Sequence, residues 1–246
     1  MHTTETIYIA SILTLIGGFI DAYTYITRDG IFAYAQTGNM IFLSMHLAKK
    51  EFLYMMNYFV PIIIFVIGIC TALYIKKILN KRKLIEIEYV IILMAALILF
   101  IVGLLPRTFS NTIVVSVISF MSAIFMITFN KAEGLSYVTN MCTGNLRSVS
   151  ENLFKFIFEN DKTGLKKGLI YIIILASFIL GAFLGTLFTN IIGVKAVWIS
   201  SALLLVVESL MFFDRWFVLM KFFFLNTLQI DVIHLIQNLV DVYEDP

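Results

Sequence analysis

Asp21, the two Thr-Gly-Asn triplets at 37–39 and 143–145, and Arg147 are the side chains here whose types and spacing could do chemistry, because each lies within or beside a long apolar run. The triplets occur in "AYAQTGNMIF" (33–42) and "YVTNMCTGNL" (137–146), 106 residues apart. Polar, irregular backbone at membrane depth is tolerated only where it is buried in protein or lines a wet cavity. Threonine is a good helix N-cap, and helical patterning resumes after each triplet. Two half-helices capped by Thr37 and Thr143 would aim free N–H groups and positive dipole ends at the midplane from opposite sides. Transporters with inverted repeats hold their substrates at such places. The competing reading is packing: glycine lets helices approach and asparagine bonds to a neighbour. Asn39 and Asn145 bonded to each other would satisfy either.

Asp21 sits inside "GGFIDAYTY". An intramembrane carboxylate is a functional candidate by default, the alternative being a local N–H or tyrosine partner. It has no acidic counterpart one repeat later, where Phe125 or Ile127 falls. Arg147 follows Thr143 by four residues, so both share one helix face; its counterpart in the first copy is Ile41. Both charges are expected to face the protein interior, because a lipid-facing charge costs about 2.5–3.5 kcal/mol at the bilayer centre. They would form either a structural salt bridge or two groups on a solute path. The full expected substrate-binding set is Asp21, Gln36, Thr37, Gly38, Asn39, Asn140, Thr143, Gly144, Asn145 and Arg147.

The elements that must position these residues are apolar helices. Of the 246 residues 60% are hydrophobic and 14% charged, with a mean hydropathy of +0.94. Soluble domains run nearer half apolar and a quarter charged. The apolar segments are continuous rather than alternating, which argues against a β-barrel. The fold class is therefore all-α, a polytopic membrane helix bundle. A span needs about 20 apolar residues, and six segments supply them: 7–27, 57–76, 87–105, 111–130, 169–190 and 195–213. The triplet-bearing segments 31–48 and 137–156 are weaker. Residues 214–246 start aromatic and turn acidic, which reads as an interfacial or cytoplasmic amphipathic tail. Residues 1–213 form one membrane domain. Residues 7–27 lack the basic flank of a signal peptide and read as a retained first span.

The chain repeats itself, about 7–105 against 111–213. Asp29-Gly30 resembles Glu133-Gly134, and Phe65, Gly68 and Ala72 match Phe178, Gly181 and Gly185 at an offset of 113. Cytoplasmic loops carry the excess of Lys and Arg. If both triplet segments re-enter rather than cross, one side receives Lys76, Lys77, Lys81, Arg82, Lys83, Lys131, Lys155, Lys162, Lys166, Lys167, Arg215 and Lys221. The other receives only Arg28, Lys49, Lys50, Arg107 and Lys195. Eight full crossings erase that bias. The sequence thus predicts six spans, two re-entrant helices, both termini cytoplasmic and an inverted repeat.

Enzyme signatures are missing: there is no nucleophile elbow, P-loop, HExxH or dinucleotide fingerprint. Cys70 and Cys142 lack metal-ligand or disulfide spacing and read as small buried hydrophobes. His46 and His234 have no ligand-spaced partners. No cofactor, metal or nucleic-acid partner is expected.

"GGFIDAYTYITRDGIFAYAQTGNM" followed by "FNKAEGLSYVTNMCTGNL" resembles the YoaK family, bacterial membrane proteins defined by a domain of unknown function. The resemblance runs from about residue 8 to 213. It rests on Gly18, Phe19, Asp21, Gly30, Thr37, Gly38 and Asn39, and on Asn130, Thr143 and Gly144. It implies a multi-span protein of the bacterial cytoplasmic membrane and supplies no substrate. The expected activity is transport or permeation of a small solute, with the lipid bilayer as partner and homo-oligomers compatible. The alternative is a non-transporting scaffold or sensor whose polar motifs only pack helices.

Overall fold

The computed structural model describes residues 5–79, 81–137, 142–214, Trp216 and Met220. Its elements are α1 (Ile7–Thr27), α2 (Gln36–Ala48), α3 (Phe52–Ile78), α4 (Lys81–Leu104), α5 (Asn111–Thr128), strands β1 (Lys131–Ala132) and β2 (Leu135–Ser136), α6 (Cys142–Phe158) and α7 (Lys162–Ile192). A 3-10 turn, Gly193–Ala196, follows, and residues 197–214 are helical (α8). The chain divides into Met1–Glu208 and Ser209–Pro246. Most of the acidic tail, with His234, lies outside the described residues.

Five stretches are long and apolar enough to cross a membrane, the last being Lys162–Asp214. Gly193 interrupts that stretch at φ 63, a left-handed conformation that side chains resist, and the 3-10 turn separates α7 from α8. Only 22% of the apolar window of α3 is buried. Such a surface suits lipid and would be costly in water, so this is a helical protein of the membrane type. Helix α2, of 13 residues, is too short for a span, and α6 is not among the long apolar stretches.

Helix directions follow from paired contacts. A Cβ on Gly181 would strike the Leu15 carbonyl oxygen, and one on Gly185 would lie 2.5 Å from that of Phe19. Farther along, the Tyr23 hydroxyl donates to the Val194 carbonyl at 3.0 Å. The helices α1 and α7 therefore run parallel. So do α3 and α5: Thr112 Oγ1 donates to Asn57 Oδ1 at 2.7 Å, Gly68 packs on Phe120 and Ala123, and Lys76 Nζ reaches the Ile127 carbonyl at 3.4 Å. These two pairs oppose each other. Asn111, at the start of α5, donates to Asp29 Oδ2 at 2.6 Å just past the end of α1. At the other end the Glu133 amide donates to the Glu5 carbonyl at 2.7 Å. The α8 helix runs back along α4, with Trp198 Nε1 donating to the Phe100 carbonyl and Ser201 Oγ to that of Ala96. The expected small-residue faces, Gly68/Ala72 and Gly181/Gly185, are thus the surfaces where backbones meet.

Among the described residues, the non-glycine residues with positive φ are Asp29 (55°), Lys50 (60°), Glu133 (51°) and Asn160 (54°). They fall at matched points of the two halves. Asp29-Gly30 and Glu133-Gly134 adopt the same left-handed pair, with the glycines at 75° and 76°, just after α1 and α5. Lys50 and Asn160 each precede an acidic N-cap, Glu51 of α3 and Asp161 of α7. The hydroxyl and N–H of Thr163 hold the Asp161 carboxyl below its usual range.

Candidate functional site

The first Thr-Gly-Asn segment breaks where its backbone needs a partner, and Asp21 is that partner. The chain leaves α1, turns through Asp29-Gly30, and dips back so that the N–H groups of Tyr34 and Ala35 donate to Asp21 Oδ1 at 2.8 and 3.2 Å. A carboxylate at the start of α2 meets both the free donors and the positive dipole end. Asp21 is buried, and its second oxygen, Oδ2, has no hydrogen-bond partner.

This capping corrects the expectation that Thr37 and Thr143 are N-caps. The cap of α2 is Ala35, with no side-chain cap bond, and Thr37 is the second helical residue, pointing outward. Helix α6 starts at Cys142, so Thr143 also lies past the cap and is exposed. Hydroxyl caps are unnecessary on α2 because the carboxylate of a neighbouring helix supplies the acceptor.

Asn39 ties the irregular loop to α2. It is fully buried; its Oδ1 accepts from the Phe32 N–H at 2.9 Å, and its Nδ2 donates to the Phe32 carbonyl at 2.7 Å and to Gln36 Oε1 at 3.0 Å. Gln36 Nε2 donates to the Ala33 carbonyl and to Ser119 Oγ. Ser119 and Ser122 also donate to the Ala33 carbonyl, at 2.9 and 3.2 Å. Ser119 and Ser122 carry no sequence motif; a hydroxyl pair three apart on an apolar helix was the only hint. Ser119 lies at the middle of the 18-residue α5, so α2 begins level with the middle of that helix. The amide of Asn39 is consumed by these local bonds rather than by Asn145.

Gly38 is required by the same packing: a Cβ there would lie 2.7 Å from the Phe32 ring. Phe32 stacks between Tyr25 and Phe42, and Phe42 meets Tyr58 at 5.4 Å. His46 stacks on Tyr54 and Tyr58, and its Nδ1 lies 2.6 Å from Glu51 Oε2. Gly38→Ala should displace the Phe32 ring and lower stability by about 1–3 kcal/mol, the usual cost of overpacking. A detergent-solubilised melt checks this, and an unchanged midpoint would refute the packing role.

The second triplet keeps only part of that pattern. Asn145 is buried, as Asn39 is, and Thr143 and Gly144 are exposed. A Cβ on Gly144 would meet nothing within 4 Å. Asn140 falls among residues 138–141, outside the described residues. Val149 packs with Ala10, Ile170 and Ile174. Cys142 lies seven residues earlier, about 10 Å along the helix at 1.5 Å per residue.

Arg147 does not meet Asp21. Its side chain is 80% exposed, and its Nε donates to Glu151 Oε1 at 2.7 Å, one turn along α6. Asp21 faces the interior as expected, but Arg147 does not, because the Arg147 face of α6 looks outward and its guanidinium pairs with the i,i+4 carboxylate. Among the described residues the fully buried cation is Arg28, 0% exposed, whose place after a span gives it the look of a loop residue. Its Nη1 donates to the Pro106 carbonyl at 3.3 Å and to Asn111 Oδ1 at 3.5 Å, tying the end of α1 to the connection between α4 and α5.

Among the described residues no group of His, Cys, Asp or Glu could hold a metal ion. Cys70 is exposed, against expectation, and Cys142 is half-buried; both are free thiols. A family model described as a protein of unknown function, DUF1275, matches residues 9–210. No curated protein and no solved structure matches the chain.

Proposed function

The chain belongs to the DUF1275 family of proteins of unknown function, and from that starting point we propose that it moves a small solute across the bacterial cytoplasmic membrane. The single observation that carries this reading is Asp21. It is a buried carboxylate at the helix break before α2, with one oxygen holding the start of α2 and the other left without a partner. An acid so placed is positioned to exchange a proton or bind a cation as a solute passes. Gln36 and the serines of α5 supply hydrogen-bonding groups beside it.

The reading uses six crossings, by α1, α3, α4, α5, α7 and α8, with α2 and α6 re-entering from opposite sides. Its support is the direction of the helix pairs. Arg28, Arg107 and Lys195 gather at the end where α1 finishes, whereas Lys76 and Lys131 lie at the opposite end. The exchanged pairing of α1 with α7 and of α3 with α5 is what an inverted repeat produces, with its axis in the membrane plane. Both termini are then cytoplasmic. In a background lacking Cys70 and Cys142, Thr108→Cys should react with an external impermeant reagent and Lys77→Cys should not; the reverse pattern would refute the arrangement.

The activity is tested by uptake of a panel of small radiolabelled solutes into proteoliposomes under an imposed proton gradient. Wild-type protein should accumulate one chemical class and the Asp21→Asn protein none. The scaffold reading has its own support, since Asn39 bonds only its own loop and helix. An inactive panel with a dry Asp21 would favour it.

A further inference from the structure

Arg28 is a cation buried without a counter-charge. Its side chain is fully enclosed, and a guanidinium in a protein does not give up its proton. A buried carboxylate can lose its charge by taking up a proton; Arg28 has no such escape. Nη1 reaches two neutral oxygens, the Pro106 carbonyl at 3.3 Å and Asn111 Oδ1 at 3.5 Å, both long for a charged hydrogen bond. Nε and Nη2 are buried and have no partner. The neighbours do not supply the missing charge. Asp29 is next in the chain, but it is exposed, and its Oδ2 accepts from Asn111 at 2.6 Å. Among the described residues no ion pair includes Arg28. The Tyr23 hydroxyl beside it is neutral and gives its proton to the Val194 carbonyl at 3.0 Å. The carboxyl end of α1, which Arg28 caps, offers only a partial negative charge. Arg107, Lys195 and the amino end of α5 at Asn111 add positive potential at the same end of the molecule.

We propose that Arg28 binds a small oxyanion, a carboxylate or a phosphate group, side-on through Nε and Nη2. Those two N–H groups lie on one edge of the guanidinium, parallel and spaced for two oxygens of one anion. The bonds from Nη1 to Pro106 and Asn111 fix the plane of the fork and leave that edge unspent. An anion held there would complete a buried ion pair, and a buried guanidinium is stable only when it is paired and hydrogen-bonded. The edge is shut off from solvent in this conformation, so the anion enters when the connection between α4 and α5 lifts. The two long bonds of Nη1 are what that movement breaks. The oxyanion is either free in solution or the phosphate of a lipid, and the recognition chemistry is the same. The proposal does not need transport, and a failed uptake assay leaves it standing.

The full chain in dodecyl maltoside, which carries neither carboxylate nor phosphate, is titrated with sodium acetate and sodium phosphate. Either anion should raise the melting midpoint saturably above sodium chloride of equal ionic strength. A lipid source gives the other pattern: added phosphatidylglycerol raises the midpoint and the soluble anions add nothing. Arg28→Lys keeps the charge and loses the fork, so binding should weaken by about tenfold or more. Arg28→Gln should abolish it, and Arg107→Gln should weaken it less than Arg28→Lys does. Where the Arg28 variants fail to fold, hydrogen exchange on the wild-type protein decides. The bound anion should slow exchange across the end of α1 and the α4–α5 connection before other segments. No response beyond chloride from any of the three probes would overturn the proposal. So would undiminished binding by folded Arg28→Lys and Arg28→Gln proteins, or protection confined to other segments.

Discussion

Gly181→Val should leave almost no folded protein in detergent. The position admits no side chain, because its Cβ would overlap the Leu15 carbonyl. The obstacle is backbone on a helix locked against α7 along its length, so no rotamer change relieves it. Ordinary overpacking costs about 1–3 kcal/mol where side chains can shift; a backbone clash should exceed that range and force α1 from α7. Gly185→Val should follow closely, with its Cβ 2.5 Å from the Phe19 carbonyl. Gly68→Val should be milder, since its nearest contacts, Ala123 Cβ and the Phe120 carbonyl, are 2.8 Å away. Fluorescence-detected size exclusion after a heating series reads the order directly. A Gly181→Val protein that melts like wild type would remove the parallel α1–α7 seam as the core of the fold.

The second large effect separates the two duties of Asp21. In Asp21→Asn an amide oxygen still accepts from the N–H groups of Tyr34 and Ala35, while the charge is gone. Charged hydrogen bonds contribute about 1.5–3 kcal/mol against about 0.5–1.5 kcal/mol for neutral ones, so the loss should be about 1–2 kcal/mol and the protein should still insert and fold. Proton-coupled uptake should vanish. Asp21→Leu removes the acceptor and strands two backbone donors at about 1–3 kcal/mol each, which should unseat α2. Uptake and melting measured on both variants distinguish the cases. A folded Asp21→Asn protein with wild-type uptake would leave Asp21 as a helix cap only. Loss of folding in both variants would show that the carboxylate's charge itself holds α2.

How much of this was legible in the chain differs residue by residue. The spans were, because a helix in lipid must be apolar on nearly every face, and composition alone reports that. The left-handed turns at Asp29-Gly30 and Glu133-Gly134 were visible as acid–glycine pairs, and the Gly181/Gly185 and Gly68/Ala72 seams as small residues four apart. The helices α2 and α6 were visible as polar triplets in runs weaker than the spans. These are local signals: what a residue can do to its own backbone, or to any helix pressed against it.

Partners were another matter. Nothing in the spacing of Asp21 and Arg147 says that the first caps a helix starting fifteen residues later while the second pairs with Glu151 and faces out. Arg28 looks like a loop residue at the end of a span until the connection between α4 and α5 closes over it. Ser119 and Ser122 look like ordinary tolerated hydroxyls until the Ala33 carbonyl needs donors. In each case the deciding quantity is which unsatisfied polar group lies within about 3 Å, and that is set by the three-dimensional packing of helices distant in sequence. The chain alone shows that polar triplets interrupt apolar runs in two places; the packing of distant helices set which of those groups hold the chain at the start of α2 and left Asp21 Oδ2 without a partner.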